Sequence, residues 1–238
     1  MSPVSVHAKS LGIGIAIGAI CIGAIFYVIT SNQIIKSPSQ SSTEAQGNNQ
    51  KIQMSLLIDN ASPVFGSKDA PITLVEFGDY QCFYCNRFFH TTEPDIVKNY
   101  VDTGKVKMIF KDYTIIGQDS INAAHAAHCA QEMGKFWEYH DVLYNHWTGE
   151  NNGWASSQNL LEFAKQVGLD EKDFNTCMSE ARHVAIIKGS VSDAKTLGLT
   201  GTPGFFIIGP DNSVTKLNGA QPYDVFEEIF KSQLQKVK

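Results

Sequence analysis

The tetrapeptide Cys82-Phe83-Tyr84-Cys85 comes directly after an apolar strand pattern, residues 72–77, and begins a segment with a helical pattern. The first turn of a helix has backbone N–H groups without intrahelical partners, and together with the helix dipole they favour an anion. The thiolate is the reactive form of cysteine, so this position favours redox chemistry at Cys82. Two thiols one helical turn apart can also close a disulfide with each other. The pattern therefore predicts a reversible two-electron switch.

Two cysteines with this spacing can also be half of a zinc site, which needs two further ligands. The chain offers four candidates, which are Cys129, Cys177, His125 and His128. Two other features favour redox chemistry. Pro203 precedes an apolar strand pattern at a position where a cis peptide bond is tolerated, and such prolines are usually functional. Glu76 places an acid in an otherwise apolar strand, where it is costly unless it has a task.

The composition excludes several classes of partner. The length of 238 residues suits one soluble domain with an appended segment. The net charge of −5 gives no reason to expect nucleic acid. Gly12, Gly14 and Gly18 lie inside an apolar run, without the strand and helix that a nucleotide-binding glycine motif requires. We therefore expect neither a nucleic-acid partner nor a nucleotide site.

The apolar run from Leu11 to Ile29 is uncharged and predicts a membrane segment. Its length is close to the about 20 residues of a transmembrane helix and exceeds the core of a secretory signal. No clear cleavage site follows, so a retained signal anchor over residues 11–30 is favoured over a cleaved signal peptide. Residues 1–10 are then a short cytoplasmic N-terminus, and the polar residues 31–61 are a flexible linker.

The cysteine count indicates on which side of the membrane the remaining chain lies. Four cysteines follow the predicted anchor, and an even set is expected where disulfides persist. We therefore expect residues 62–238 to fold as a domain outside the cytoplasm, attached to the cell membrane by a single pass. The flanking charges hardly discriminate between the two orientations.

The order of predicted elements indicates an α/β fold. A strand over residues 72–77, a helix from Cys82 to about Tyr100 with a kink at Pro94, and a strand over residues 106–113 form a parallel strand–helix–strand unit. Residues 118–199 have helical patterns throughout, and residues 205–208 and 214–217 predict a hairpin before a last helix that begins near Pro222. Without the helical block, this order is that of a thioredoxin-like fold.

Three motifs resemble those of the DsbA-like thiol:disulfide oxidoreductases, which have a thioredoxin fold with an inserted all-helical domain. They are Val75-Glu-Phe-Gly-Asp-Tyr-Gln-Cys82-Phe-Tyr-Cys85, Cys129-Ala-Gln-Glu-Met-Gly-Lys-Phe-Trp137 and Gly201-Thr-Pro-Gly-Phe-Phe206. The resemblance runs from about Ser62 to the C-terminus. Oxidases of this family often have Pro-His or Pro-Tyr between the two cysteines, whereas this chain has Phe83 and Tyr84. Thr202 before the proline is more similar to the isomerase-like and anchored members.

The resemblance implies roles for the residues of the first motif. Cys82 is expected to be the exposed attacking thiol, with a pKa below the usual value of about 8.5. Cys85, one turn deeper, is expected to resolve the mixed disulfide or to accept the internal bond. Glu76 is expected to lie beneath the pair and to exchange a proton with Cys85, because burial raises the pKa of an acid. The alternative for Glu76 is a surface position solvated by water.

The same resemblance implies where a substrate would bind. Pro203, if it is cis, exposes the backbone of Thr202 beside Cys82, where an extended peptide can pair as an added strand. The alternative is an ordinary turn proline. Phe83 and Tyr84, between the two cysteines, are also expected to contact substrate.

The remaining cysteines both lie in the helical block. The even count and their shared position predict a structural Cys129–Cys177 bridge, which would close a loop of about 49 residues and contribute about 4 kcal/mol. A second redox relay is the alternative. His125 and His128 lie about one helical turn apart, and helix packing or surface exposure is favoured over metal binding.

The function favoured by these features is a membrane-tethered thiol:disulfide oxidoreductase that forms or rearranges disulfides in secreted proteins. We expect cysteine-containing proteins outside the cytoplasm as substrates, a quinone-linked membrane protein as redox partner, and neither cofactor nor metal. Oxidase activity is favoured over isomerase or reductase activity, although all three share these residues. The alternative is a redox-inactive peptide-binding or chaperone module on the same fold.

Overall fold

The computed structural model describes residues 53–237 and contains one four-stranded sheet. The strands are β1 (Ile72–Gly78), β2 (Val106–Asp112), β3 (Gly204–Ile208) and β4 (Val214–Asn218), and they are ordered β2-β1-β3-β4. Strands β1 and β2 are parallel, whereas β3 is antiparallel to both β1 and β4. The predicted strand–helix–strand unit and the predicted hairpin are therefore confirmed, and so is the thioredoxin-like fold.

Helices cover both faces of the sheet and form the insertion. The insertion consists of five helices between β2 and β3, which confirms the predicted helical block. The helices are α1 (Ser55–Ile58), α2 (Phe83–Thr91), α3 (Glu93–Ile96), α4 (Gln118–Glu132), α5 (Phe136–Asn145), α6 (Ser157–Gln166), α7 (Glu171–Ser179), α8 (Val184–Thr196) and α9 (Tyr223–Leu234).

The helix predicted from Cys82 to about Tyr100 is divided rather than kinked. Helix α2 ends at Thr91, α3 begins at Glu93, and a π-helical turn follows over Val97–Val101. Pro94 lies in the first turn of α3. A backbone N–H has no intrahelical acceptor at this position, so the proline costs the helix no hydrogen bond. The break places Glu93 at the start of a new helix, in the interior of the protein.

The packed domain includes residues before 62, although the sequence predicted a flexible linker up to residue 61. Helix α1 packs its fully buried Leu57 into the apolar cluster that also contains Val75 and Phe206. The side chain of Lys111 donates hydrogen bonds to the Asp59 carbonyl oxygen and, at 2.8 Å, to the carboxylate of Asp193. Residues 55–61 are therefore part of the packed domain, because they cover one face of the sheet.

The predicted N-terminus, anchor and most of the predicted linker lie outside the described residues. Among residues 53–237, no helix combines the length and the apolar character that a bilayer crossing requires.

The alternation of side chains along β1 separates two apolar cores. Ile72 and Leu74 face α2 and α9, where they pack with Phe88 and Phe226. Val75 and Phe77 face the opposite side, together with residues of α1 and α8. Since successive side chains of a strand alternate between faces, Glu76 lies on the same face as Leu74, beneath α2. The strand thus directs its one acid towards the helix that carries Cys85.

Candidate active site

Cys82 and Cys85 are both free thiols at the N-terminus of α2. Cys82 is the residue that caps the helix, with an extended backbone, and its N–H donates to the Asp79 carbonyl oxygen at 2.9 Å. Cys85 lies in the first turn and is fully buried. This arrangement fits the predicted strand and helix on either side of the pair.

Cys82 is less exposed than the sequence suggested, since only 6% of its surface faces solvent. In its protonated form the thiol donates a hydrogen bond to the Thr202 carbonyl oxygen at 3.4 Å. The loop that contains Thr202 therefore covers one side of the sulfur. A reacting thiol must approach through the small opening that remains.

The pKa values of the two thiols move in opposite directions. A hydrogen bond from the Cys85 thiol lowers the pKa of Cys82 to about 6, despite the opposing effect of burial. The Thr202 side chain and the backbone N–H groups of Cys85 and Tyr84 lower it further. Burial, followed by the neighbouring Cys82, raises the pKa of Cys85 well above its ordinary value. At neutral pH the pair therefore consists of one thiolate and one thiol.

A network of buried polar groups fixes the backbone in front of Cys82. The carboxylate of Asp79 accepts hydrogen bonds from the N–H groups of Gln81, Ile115 and Ile116 at 2.8–3.1 Å. The Gln81 side chain donates to Ser120 at 3.0 Å and accepts from the Asn151 N–H at 2.6 Å. The helical insertion therefore holds the active-site loop at several points, which the sequence did not predict.

The peptide bond between Thr202 and Pro203 is cis. Pro203 lies just before β3, and its carbonyl oxygen accepts from the Gly219 N–H at 2.8 Å. Strand β3 pairs with β1, whose end leads into the cysteine pair, and this pairing brings Thr202 to Cys82. Thr202 and Pro203 therefore lie beside Cys82, where the sequence predicted them.

Glu76 is buried beneath the pair, and only 3% of its surface is exposed. Burial, followed by Glu93 and Cys82, raises the pKa of its carboxyl group well above 4.5. A Cβ atom at Gly78 would lie 3.3 Å from Glu76 Oε1 and would overlap the ring of Phe110. The absence of a side chain at Gly78 thus leaves room for the carboxyl group. The alternative of a solvated surface position for Glu76 is wrong.

A second buried acid, Glu93, was missed by the sequence analysis. Burial, followed by the charge of Asp141, raises the pKa of Glu93 to about 8. The pKa of Asp141, which lies on the exposed side of α5, is raised to about 6, first by burial and then by Glu138. Glu76, Glu93 and Asp141 therefore form a series of acids from the cysteine pair to the surface. No local signal marks this acid, because Thr92 and Pro94 flank it and Asp95 follows, a pattern that is common at the surface.

The two residues between the cysteines form an exposed aromatic surface. Phe83 and Tyr84 are 50% and 51% exposed, and their ring centroids lie 5.3 Å apart. The ring of Trp147 lies 6.0 Å from Phe83, and the Trp147 Nε1–H donates to the Gln81 carbonyl oxygen at 2.7 Å. Phe83, Tyr84 and Trp147 together form an apolar patch beside the opening to Cys82.

Cys129 and Cys177 form a disulfide between α4 and α7. Both residues are fully buried, in the same apolar cluster that contains Cys82 and Cys85. Among the described residues, the groups of three potential metal ligands do not include Cys82 or Cys85. Within residues 53–237, no third ligand of these types therefore lies beside the reactive pair.

His125 and His128 are both buried. Of the two positions that the sequence favoured for them, helix packing therefore fits and surface exposure does not. His128 Nε2 lies 2.7 Å from the Asp112 carboxylate, and Nδ1 lies 3.1 Å from the Gln131 side-chain oxygen. His125 Nε2 is buried without a hydrogen-bond partner. Burial, together with His183 and His128, lowers the pKa of His125 to about 4.

Comparison with known proteins supports the same fold and family. A family model described as Thioredoxin matches residues 59–231. The protein named "Probable disulfide bond formation protein D" of Bacillus cereus is 31% identical over 150 residues, which cover 60% of this chain and 68% of that protein. The crystal structure of oxidised BdbD from Bacillus subtilis superposes with a TM-score of 0.67 and 25% identity, over 73% of this chain and 93% of that one.

Another relative contains a similar segment within a longer protein. The "Na(+)/H(+) antiporter NhaA 1" of Salinispora arenicola is 31% identical over 148 residues, which cover 61% of this chain. The match spans only 21% of that antiporter's length. The likeness to this relative is therefore limited to one segment of it.

Proposed function

This chain belongs to the DsbA-like proteins of the thioredoxin family, and we propose that it is a thiol:disulfide oxidoreductase that works through Cys82 and Cys85. The observation that carries the proposal is the division of the pair into an acidic thiol beside Thr202 and a fully buried partner thiol. A static disulfide or a chaperone groove would need no such division. Thiol exchange needs it, because one sulfur must attack or leave as a thiolate.

In the oxidising direction, the disulfide between Cys82 and Cys85 accepts two electrons from a substrate dithiol. A substrate thiolate attacks Cys82, the less buried sulfur, and the Cys82–Cys85 bond breaks with its electron pair on Cys85. A second substrate thiolate then attacks the substrate sulfur of the mixed disulfide and displaces Cys82. Cys82 leaves readily as a thiolate, since its pKa is about 6.

Glu76 supplies the proton that Cys85 needs. The leaving Cys85 sulfur is buried, and its raised pKa makes the neutral thiol the stable product. Glu76 lies on the face of β1 beneath α2, and the burial that raises its pKa favours its protonated form. A proton transfer from Glu76 to Cys85 avoids an unpaired buried thiolate. Glu93 and Asp141 provide a path by which Glu76 regains a proton from solvent.

The substrate is a cysteine-containing protein in an extended conformation. The backbone of Thr202 next to Cys82 supports pairing with such a segment, since strand addition uses main-chain hydrogen bonds. The patch of Phe83, Tyr84 and Trp147 supports contact with apolar substrate side chains without demanding one sequence. Together these features favour many unfolded substrates over one folded partner.

The proposed location is outside the cytoplasm, with residues 11–30 as a membrane anchor. The Cys129–Cys177 disulfide supports this location, because such bonds persist in oxidising compartments. The low pKa of Cys82 supports oxidase activity, since stabilisation of the reduced form makes a pair more oxidising. We propose that a quinone-linked membrane protein reoxidises the pair.

The proposal is tested by oxidative folding of a reduced, unfolded secreted protein that has several cysteines. The purified full-length chain, with the Cys82–Cys85 bond formed, should restore native disulfides faster than an equal concentration of oxidised glutathione. Cys82→Ser should abolish this rate enhancement, whereas the matched Cys21→Ser variant should retain it. Equal rates for the parent and Cys82→Ser, with both suppressing aggregation of the substrate, would instead favour the chaperone module.

A further inference from the structure

The disulfide of the insertion is surrounded by unused metal-ligating groups. One ring nitrogen of His125 and the sulfurs of Cys129 and Cys177 all lie within 4.8 Å of one another. A second group consists of Cys177 Sγ, one carboxylate oxygen of Glu132 and one ring nitrogen of His183, which also lie within 4.8 Å of one another. Cys177 is common to both groups, so the five side chains form one cluster. In the proposed function, this cluster has no part.

We propose that reduction of the Cys129–Cys177 disulfide creates a zinc site, with His125, Cys129, Cys177 and His183 as the four ligands. Two thiolates and two imidazoles are a common ligand set of structural zinc, which is tetrahedral. Zn–S and Zn–N bonds of about 2.3 and 2.0 Å require neighbouring ligand atoms about 3.5–3.8 Å apart. His125, Cys129 and Cys177 already have ligand atoms within 4.8 Å of one another, and His183 has one within 4.8 Å of Cys177. The ring centroids of His125 and His183 lie 6.0 Å apart, so His183 must move towards His125 and Cys129 to complete this geometry.

His125 is positioned to bind from within the protein. It precedes Cys129 by four residues on α4, so the two side chains lie one turn apart on the same helix face. Its Nε2 is buried and has no hydrogen-bond partner. A buried polar nitrogen without a partner is costly, and few such atoms occur in a native structure. A metal ion at the neighbouring sulfurs would give His125 a role that the disulfide form does not provide.

His183 is the fourth proposed ligand, and one of its ring nitrogens lies within 4.8 Å of Cys177 Sγ. Its Nε2 lies 2.8 Å from the Glu132 carboxylate, which only accepts hydrogen bonds, so Nε2 carries the hydrogen. The Nδ1 atom of the neutral ring then has a free lone pair. A carboxylate that orients a ligating histidine in this way is typical of zinc sites. Glu132 is itself held by Arg182 at 2.8 Å, which fits a supporting role rather than direct ligation.

His128 is excluded as a ligand although it belongs to the same cluster of rings. Its two nitrogens are already paired with Asp112 and Gln131, so it has no free lone pair. The centroids of His128 and His183 lie 5.6 Å apart. His128 therefore packs against a proposed ligand without contributing to the site.

Zinc has a route to the cluster from the surface. A cavity of about 220 Å³ is lined by Glu132, Met133, Asp173, Thr176 and Arg182. Thr176 directly precedes Cys177, and the side chain of Glu132 is partly exposed. Glu132 lines this cavity and has a carboxylate oxygen within 4.8 Å of ligand atoms of Cys177 and His183, so the cavity adjoins the cluster.

The chemistry requires a dithiol as reductant. The dithiol gives two electrons and two protons to the bridge, which becomes two thiols while the dithiol becomes a disulfide. Zinc binding then displaces the two thiol protons. The ion joins α4 to α7 where the disulfide joined them before. The insertion would thus stay linked under both oxidising and reducing conditions.

The test uses the full-length chain with Cys21, Cys82 and Cys85 replaced by serine, which leaves Cys129 and Cys177 as the remaining cysteines. The protein is reduced with a phosphine under nitrogen and titrated with Zn²⁺ against a chromophoric chelator. We expect one zinc per reduced chain and none per oxidised chain. Co²⁺ in place of Zn²⁺ should give the absorption of a tetrahedral ion with thiolate ligands.

Variants separate the proposed site from unspecific thiol binding. His125→Gln and His183→Gln should each weaken zinc binding by more than about 100-fold, and Glu132→Gln by about 10–100-fold. The matched variant His90→Gln, on the exposed surface of α2, should bind zinc as the parent does. If reduction unfolds the insertion, zinc should restore its helical circular dichroism. Absence of zinc binding, or equal affinity in His125→Gln and His90→Gln, would overturn the proposal.

Discussion

The thiol of Cys82 lies 3.4 Å from the carbonyl oxygen of Thr202, a residue 120 positions further along the chain. The antiparallel pairing of β1 with β3 produces this contact, because the loop that follows β1 and the loop that precedes β3 lie at the same end of these strands. The contact joins the attacking sulfur to the backbone against which a substrate strand would lie. Reactivity and substrate binding are thereby concentrated within a few ångströms.

The two thiols should differ strongly in reactivity. In the reduced protein, alkylation by iodoacetamide should modify Cys82 fast, with a rate that titrates near the pKa of about 6. Cys85 should react slowly across neutral pH, because it is fully buried and its pKa is raised. Mass spectrometry of peptides after timed alkylation measures both rates. Equal reactivity of the two thiols would contradict the assigned roles.

Glu76→Gln should slow disulfide exchange at neutral pH while the protein remains folded. The substitution keeps the shape of the side chain but removes the proton that Cys85 receives. The expected loss is about ten-fold to several hundred-fold, as for a missing general acid or base. Stopped-flow measurement of exchange with a reduced peptide gives the rate. Glu228→Gln, on the exposed side of α9, is the matched control and should leave the rate unchanged. A parent-like rate for Glu76→Gln between about pH 6 and 8 would make Glu76 structural.

Glu93 should make the stability of the fold depend on pH. Its pKa rises from 4.5 to about 8 in the folded protein, mainly by burial and then by Asp141. The folded state therefore holds the proton more tightly than the unfolded state does. The contribution of this group to the free energy of unfolding is complete below about pH 4.5 and is lost as the pH rises through about 8. At about pH 9, Glu93→Gln should be more stable than the parent by up to a few kcal/mol, and this difference should vanish near about pH 4.

Urea unfolding at a series of pH values measures this effect. Asp95→Asn, an exposed neighbour on α3, serves as control and should follow the parent. Parallel stability curves for the parent and Glu93→Gln would show that Glu93 titrates normally.

The sheet and the reactive pair were predictable because their signals are local. The apolar strand, the cysteine spacing and the proline before β3 each lie within a few residues, and the parallel crossover follows from their order. Glu76 was recognisable as an acid in an apolar strand. Its companion Glu93 was not, because the two carboxyl groups meet only after α2 folds back over β1. The break after Thr91 that buries Glu93 was likewise predicted only as a kink.

Positions that depend on distant contacts were missed for the same reason. Leu57 belongs to the core because helix α1 packs on the sheet, although the preceding polar residues indicate a linker. Gln81 is fixed by Ser120 and Asn151 of the insertion, which lie 39 and 70 residues away. A single sequence contains no periodicity that reports such contacts.

The Cys129–Cys177 bridge should resist reduction longer than the Cys82–Cys85 bond, since both of its sulfurs are buried in the insertion. The Cys129→Ala/Cys177→Ala variant should lose about 2–5 kcal/mol of the free energy of unfolding, because the bridge closes a long loop in the unfolded chain. Cys82→Ala/Cys85→Ala is the matched control and should lose much less. Peptide mapping that finds free Cys129 and Cys177 thiols in oxidised protein would contradict this prediction.

The reduction potential of the Cys82–Cys85 couple tests the proposed activity most directly. The protein is equilibrated in buffers of reduced and oxidised glutathione, and the fraction of each redox form is determined after alkylation. We expect one reversible two-electron couple, with a potential above the about −270 mV of thioredoxin, because the Cys82 thiolate stabilises the reduced form. A pair that shows no reversible couple, or a potential at or below about −270 mV, would contradict the proposed oxidase.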